Sequence, residues 1–214
     1  MFDLTSRRLY LCVGLRDDLG AFLPAVLRGG VDVVQLREKT ASLEEQRSAA
    51  QLMGSICRDF DAPFIINDSP ELALASGADG VHVGQEDLDV ARCRELLGPN
   101  AIIGLSTHST EEFDLALRSD ATYLSAGPIV PTPTKLGRAG TGVDYASQSQ
   151  ARSDRPVFVT GGVNSTNVAG LVEAGLRHFV VVRALTESPD PEASARAIRQ
   201  RIDETISAVA VQPT

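Results

Sequence analysis

The 214-residue chain is predicted to fold as a single α/β domain, a (β/α)8 barrel of the TIM type spanning residues 1–214. Three observations carry that expectation. Eight short apolar runs, rich in β-branched residues, recur along the whole chain, and segments of helical periodicity separate them. The runs are continuously apolar rather than alternating, the pattern of parallel strands buried on both faces. No linker or low-complexity tract interrupts the series, so eight strand–helix units fill one chain at the small end of the barrel size range. A doubly wound open sheet is the alternative that strand–helix alternation alone allows.

The runs in order are Leu9–Val13, Val31–Leu36, Pro63–Ile66, Gly80–Val83, Ala101–Leu105, Thr122–Ala126, Pro156–Thr160 and His178–Val182. Between the second and third, residues 42–60 place Leu43, Ala49, Ala50, Met53, Ile56, Cys57 and Phe60 at helical spacing. The last helix, 190–209, does the same with Ala193, Ala197, Ile198, Ile202, Ile206 and Val209. Ser69 before Pro70 and Glu71, and Ser109 before Thr110, Glu111 and Glu112, read as capped helix starts. Residues 131–142 form the one irregular stretch, too long for a simple turn between strand and helix.

Composition narrows the classes further. Hydrophobic residues are 43% and charged residues 22%, ordinary for a globular chain. A chain of this size buries roughly 70% of its unfolded surface, so it needs no disulfide or metal staple. With 28 Asp and Glu against 20 Lys and Arg, the net charge of −8 argues against a nucleic-acid partner. Cys12, Cys57 and Cys93 form no C-x-x-C pair and read as free, buried thiols of a reducing compartment. No apolar run reaches the length of a membrane span, and residues 1–8 lack a signal-peptide core. A cytoplasmic location is expected, with no membrane partner. None of these features sets an oligomeric state.

The active site of such a barrel lies at the carboxyl ends of its strands. The second run ends in Gln35-Leu36-Arg37-Glu38-Lys39. Strand parity sends Gln35, Arg37 and Lys39 to one side, where a guanidinium fork and an ammonium suit phosphate oxygens. The third and fourth runs lead into Asn67-Asp68 and Gly84-Gln85-Glu86-Asp87. Asp68 and Asp87 end neighbouring strands, and two carboxylates beside phosphate-binding cations suit magnesium. Asp68, before Ser69-Pro70, reads equally well as a helix N-cap. Ser106-Thr107-His108 follows the fifth run, and Gly127-Pro128 then Pro131-Thr132-Pro133-Thr134-Lys135 follow the sixth. Gly161-Gly162-Val163 follows the seventh, at the usual barrel position for a phosphate. Two anion sites are therefore expected, one over strands two to four and one over strands seven and eight. His82 and His178 lie in strands and read as structural; His108 reads as loop support.

These strings together resemble the thiamine-phosphate synthase (thiamine-phosphate pyrophosphorylase) family. The resemblance runs from residue 9 to about residue 200, and further strings carry it: Gly77-Ala78-Asp79-Gly80-Val81-His82-Val83 and Ile103-Gly104-Leu105. It implies an alkyl-transferring enzyme that joins 4-amino-2-methyl-5-hydroxymethylpyrimidine diphosphate to a thiazole phosphate (or its carboxylate), with magnesium as cofactor. By the same resemblance, Gln35, Arg37, Lys39, Asn67 and Lys135 hold the pyrimidine diphosphate, and Ser106 contacts the pyrimidine. Asp68 and Asp87 bind the metal. Thr132, Thr134, Gly162 and the backbone at Val182-Arg183 hold the thiazole phosphate. Arg37, Lys39, Lys135 and Ser106 are the residues expected to act in the chemistry.

The chain departs from the family pattern in three places. Arg183 stands where many members have Ser, Asp89 follows Leu88 where many have Pro, and Val13-Gly14-Leu15 lacks a common Thr-Asp. The rival readings are a thiazole tautomerase on the same barrel and a non-catalytic barrel that senses thiamine precursors. A tautomerase needs no diphosphate and metal set, and it calls for an acid–base residue that the sequence does not single out.

Overall fold

The computed structural model describes residues 2–132 and 139–211. Eight strands form a closed, all-parallel barrel in sequence order: β1 (Leu9–Val13), β2 (Val33–Leu36), β3 (Phe64–Asn67), β4 (Gly80–Val83), β5 (Ile102–Thr107), β6 (Tyr123–Ala126), β7 (Val157–Val159) and β8 (His178–Val181). Strand β8 closes the barrel on β1, with Tyr10 opposite Val180. The open-sheet alternative is excluded by that pairing. The helices are α1 (Leu19–Arg28), α2 (Leu43–Asp59), α3 (Pro70–Ser76), α4 (Val90–Leu97), α5 (Thr110–Leu117), α6 (Val143–Arg152), α7 (Val168–Glu173), α8 (Arg183–Thr186) and α9 (Pro191–Val211).

The caps follow the sequence. Ser42 and Glu45 form a reciprocal capping box at α2. Ser69 accepts from Leu72 N with Pro70 in the first turn of α3, and Ser109 accepts from Glu112 N at α5. Strand edges moved where backbone bonds were already spoken for. β2 starts at Val33, not Val31, because Val31 N closes the end of α1 on Val26 O. β5 runs on through Ser106 and Thr107, which pair with Ser125 and Ala126. Ser106 is thus a strand residue rather than a loop residue.

Strand parity divides the core in two. Leu9, Leu11, Val34, Leu36, Val81 and Val83 face the helices and join the larger apolar cluster. Tyr10, Val33, Ile65, Ile102, Tyr123 and Phe158 fill the barrel interior. The floor is tied by Asp32, which accepts from Arg8 N, Leu9 N and the Arg199 guanidinium. His178 seals the same end, donating from Nδ1 to Arg7 O at 2.6 Å. Polar residues concentrate above this floor, toward the carboxyl ends. The three cysteines are buried and none is in a disulfide.

Candidate active site

A cavity of about 990 Å³ opens at the carboxyl ends of the strands. It is large enough for two small ligands. Gln35, Arg37, Lys39, Asn67, Asp68, Asp87, Ser106, Thr132, Gly162, Val182 and Arg183 all line it. The described residues expected to form two anion sites therefore line two sides of one cavity. Thr134 and Lys135 fall outside the described residues.

The first side is built on the loop after β2. Gln35 is buried within β2, its amide spanning Cys12 and Tyr10: Cys12 Sγ donates to Oε1 at 3.2 Å, and Nε2 donates to Tyr10 OH at 2.8 Å. Arg37, half-buried, enters the loop with its backbone N–H on Val13 O. Its guanidinium has no carboxylate within ion-pair distance among the described residues, which leaves the fork for a ligand. Glu38 turns back over the loop, accepting from the N–H groups of Leu15, Lys39, Thr40 and Ala41 and from the Thr40 hydroxyl. Those bonds hold its pKa down at about 2, the Thr40 N–H first among them. Gly14 leaves room for this contact, since a Cβ there would sit 3.1 Å from Glu38 Oε2.

Lys39 Nζ pairs with Asp68 Oδ2 at 3.0 Å. Asp68 sits at φ +63° just after β3, a left-handed position that Asp tolerates better than most residues. Neither carboxylate of the expected pair is a helix cap. Ser69 takes that role at α3, and Asp89 takes it at α4, accepting from Arg92 N at 2.8 Å. Asp89 thus does at α4 what the family's Pro cannot do by side-chain bonding. Asp87 accepts from Gly84 N at 2.8 Å. Burial raises the Asp68 pKa, the Lys39 bond opposes that, and the Asp87 charge raises it again. Two carboxylates are thus held against each other, a pair that a divalent cation would relieve. They are a hard oxygen set, and they fit magnesium, which takes one or two carboxylates and keeps room for water and phosphate oxygens.

The second side is backbone. Gly161 and Gly162 have φ +95° and +75°. A Cβ at Gly161 would meet Pro128 at 2.6 Å, and one at Gly162 would meet Val130 Cγ2 at 2.6 Å. Only glycine fits both the conformation and the space. Arg183 is exposed and opens α8 at the cavity edge, where it adds a cation to this side.

Sequence reading missed part of the wall. Tyr10, Cys12, His82, Tyr123, Ser125, Thr160 and Glu187 also line the cavity. His82, read as structural, is a buried strand residue whose ring also reaches the cavity wall, between Tyr123 OH, 2.9 Å from Nδ1, and Ser106 Oγ, 2.8 Å from Nε2. The signal was present in strand parity, because Gly80 and His82 face inward between the outward Val81 and Val83. His178 is structural as expected, and His108 steadies its loop, its N–H bonded to Glu112 Oε2 at 2.7 Å.

A family profile described as thiamine monophosphate synthase matches residues 9–185. The chain belongs to the thiamine monophosphate synthase family. It is 44% identical over 205 residues to thiamine-phosphate synthase from Acidothermus cellulolyticus, covering 94% of this chain and 97% of that protein. It is 38% identical over 213 residues to thiamine-phosphate synthase from Mycobacterium bovis, covering 93% and 96%. Among solved structures, thiamine phosphate pyrophosphorylase from Pyrococcus furiosus superposes with a TM-score of 0.85 at 28% identity, covering 93% of this chain and 96% of that one. A 3-hexulose-6-phosphate synthase from Salmonella typhimurium, at 19% identity, a TM-score of 0.68 and coverage of 92% and 99%, shares the fold alone. No described helix is long and apolar enough to cross a membrane.

Proposed function

We propose that the chain condenses 4-amino-2-methyl-5-hydroxymethylpyrimidine diphosphate with a thiazole phosphate, giving thiamine phosphate and diphosphate. The observation that carries this reading is the convergence of Arg37, Lys39, Asp68, Asp87 and Ser106 with the Gly161-Gly162 turn in one cavity. That set offers a diphosphate site and a monophosphate site to the same enclosed volume. A tautomerase acting on the thiazole phosphate alone would leave the diphosphate side unused.

The reaction asks little proton chemistry of the protein. The bond from the exocyclic methylene carbon to oxygen breaks, and its electron pair leaves with diphosphate. The aminopyrimidine ring stabilises the resulting cation. The thiazole nitrogen then gives its lone pair to that carbon, so no general base is needed. Arg37 takes up charge on the departing oxygens through paired N–H donors, and Lys39 adds a point charge. Lys135, outside the described residues, is assigned to the same task. Magnesium held by Asp68 and Asp87 would supply further neutralisation of diphosphate charge. Gly161 and Gly162 let the backbone approach the thiazole phosphate closely, with Thr132, Thr134, Val182 and Arg183 around it. Holding both reactants in one cavity turns a bimolecular attack into a local one.

The deciding experiment mixes purified protein, both phosphorylated substrates and magnesium, then assays thiamine phosphate and diphosphate. Equimolar appearance of both is expected. Thiazole isomerisation without coupling would favour the tautomerase, and binding without turnover would favour a sensor.

A further inference from the structure

Seven buried side chains form one unbroken hydrogen-bonded chain across the barrel. It runs from Cys12 to Gln35, Tyr10, Tyr123, His82, Ser106 and Ser125. Its members come from β1, β2, β4, β5 and β6, and it links the two walls of the cavity through the barrel interior.

The direction of the protons follows from donor and acceptor capacity. With the Gln35 amide oriented so that Oε1 accepts from Cys12 S–H, its Nε2–H donates to Tyr10 OH. Tyr10 already accepts there, so its own proton goes to Tyr123 OH at 2.9 Å. Tyr123 then gives its proton to His82 Nδ1 at 2.9 Å. An acceptor at Nδ1 leaves neutral imidazole protonated at Nε2, and Nε2–H donates to Ser106 Oγ at 2.8 Å. Ser106 accepts from below, and its own proton points onward. Among the described residues the competing acceptor is Ser125 Oγ, at 3.5 Å and the limit of a hydrogen bond. Burial raises the pKa of both tyrosines, so neither ionises near neutrality.

Gly104 makes the chain possible. It lies in register between His82 and Tyr123, and a Cβ there would sit 2.2 Å from Tyr123 Cζ and 2.4 Å from His82 Nδ1. No side chain fits without breaking the Tyr123–His82 bond.

We infer that Tyr10, Tyr123 and His82 are positioning residues that fix Ser106 as a hydrogen-bond donor into the cavity, aimed at a lone-pair atom of the bound heteroaromatic ring. The direction of the relay stands on the orientation of the Gln35 amide between Cys12 and Tyr10. The identity of the ring as the aminopyrimidine rests on the synthase reading.

The test has two arms. In protein labelled with ¹⁵N-histidine, long-range correlation spectra at neutral pH distinguish the two ring nitrogens. His82, assigned by its loss in His82→Gln, should be protonated at Nε2 and bare at Nδ1. His178, which donates from Nδ1, supplies the opposite pattern as an internal standard. Tyr123→Phe should abolish the uniform Nε2–H state of His82. In the kinetic arm, Tyr123→Phe and Ser106→Ala should each raise KM for the pyrimidine diphosphate roughly tenfold, the worth of one positioned hydrogen bond. The double variant should be no worse than Ser106→Ala alone, and Ser106→Thr should restore binding. Wild-type His82 protonated at Nδ1 would overturn the inference, as would multiplicative losses in the double variant. Absence of any coupling activity in the wild type would count against the synthase reading, and the spectrum would still decide the relay.

Discussion

Lys39 Nζ lies 3.0 Å from Asp68 Oδ2, so a cation of the proposed diphosphate site and a carboxylate of the proposed metal pair are joined in one ion pair. The contact is half exposed and worth little as a stabilising bridge. On the proposed reading, Lys39 and a divalent cation would compete for the same carboxylate. Lys39→Met is expected to lower turnover about 100-fold through the lost donor. The magnesium concentration for half-maximal rate should fall, because a competing charge is gone. Rates measured across a magnesium series check both, and an unchanged turnover would remove Lys39 from the chemistry.

Metal removal tests the Asp68–Asp87 pair directly. Chelator should abolish coupling and added magnesium should restore it. Asp87→Asn should weaken the magnesium response while leaving the melting temperature near that of the parent. Full activity in chelator would show that the two carboxylates serve another purpose.

Glu38 is predicted to act through the loop that carries Arg37 and Lys39. Its pKa is held at about 2, below the usual 4.5, so its contribution to loop order is complete above 4.5 and is lost as pH falls through about 2. Glu38→Gln keeps the size but loses the charge that gathers four N–H groups. KM for the pyrimidine diphosphate should rise roughly tenfold with a smaller change in kcat. Steady-state kinetics decide it, and an unchanged KM would show that the loop holds its shape without the carboxylate.

His178 should set part of the acid sensitivity of the fold. Burial lowers its pKa to about 4, against 6.5 when exposed, with the Arg7 carbonyl bond opposing. Between those values the unfolded chain binds the extra proton, so stability falls as pH drops from 6.5 toward 4. The full effect is about 3 kcal/mol on the linkage rule. Denaturant titrations across this window should show the slope in the parent and a flatter one in His178→Asn, which keeps an N–H for Arg7 O. Parallel slopes would assign the acid sensitivity elsewhere.

Lys135→Ala is expected to lose about 100-fold in turnover with the fold intact. Single-turnover rates equal to the parent's would end its assignment to the leaving diphosphate.

The sequence by itself determined the barrel, because strand burial on both faces and helix capping are local properties. The apolar runs, Ser69 with Pro70, and Ser109 with Glu112 each state their element within a few residues. It also determined which strand-end residues line the cavity, because Gln35 and Arg37 lie on one side of an extended backbone and mark it by parity. The cap reading that sequence left open at Asp68 was removed by a hydroxyl one residue on, since Ser69 caps α3 by accepting from Leu72 N. Only the tertiary structure brought Tyr10 within hydrogen-bond reach of Tyr123, across 113 residues of chain. Closure of β8 on β1 made that interior, and the absence of a side chain at Gly104 opened it to His82. Hydrogen-bond direction belongs to a network, not to a residue. The donor role of Ser106 could therefore be read only once the barrel had placed its partners together.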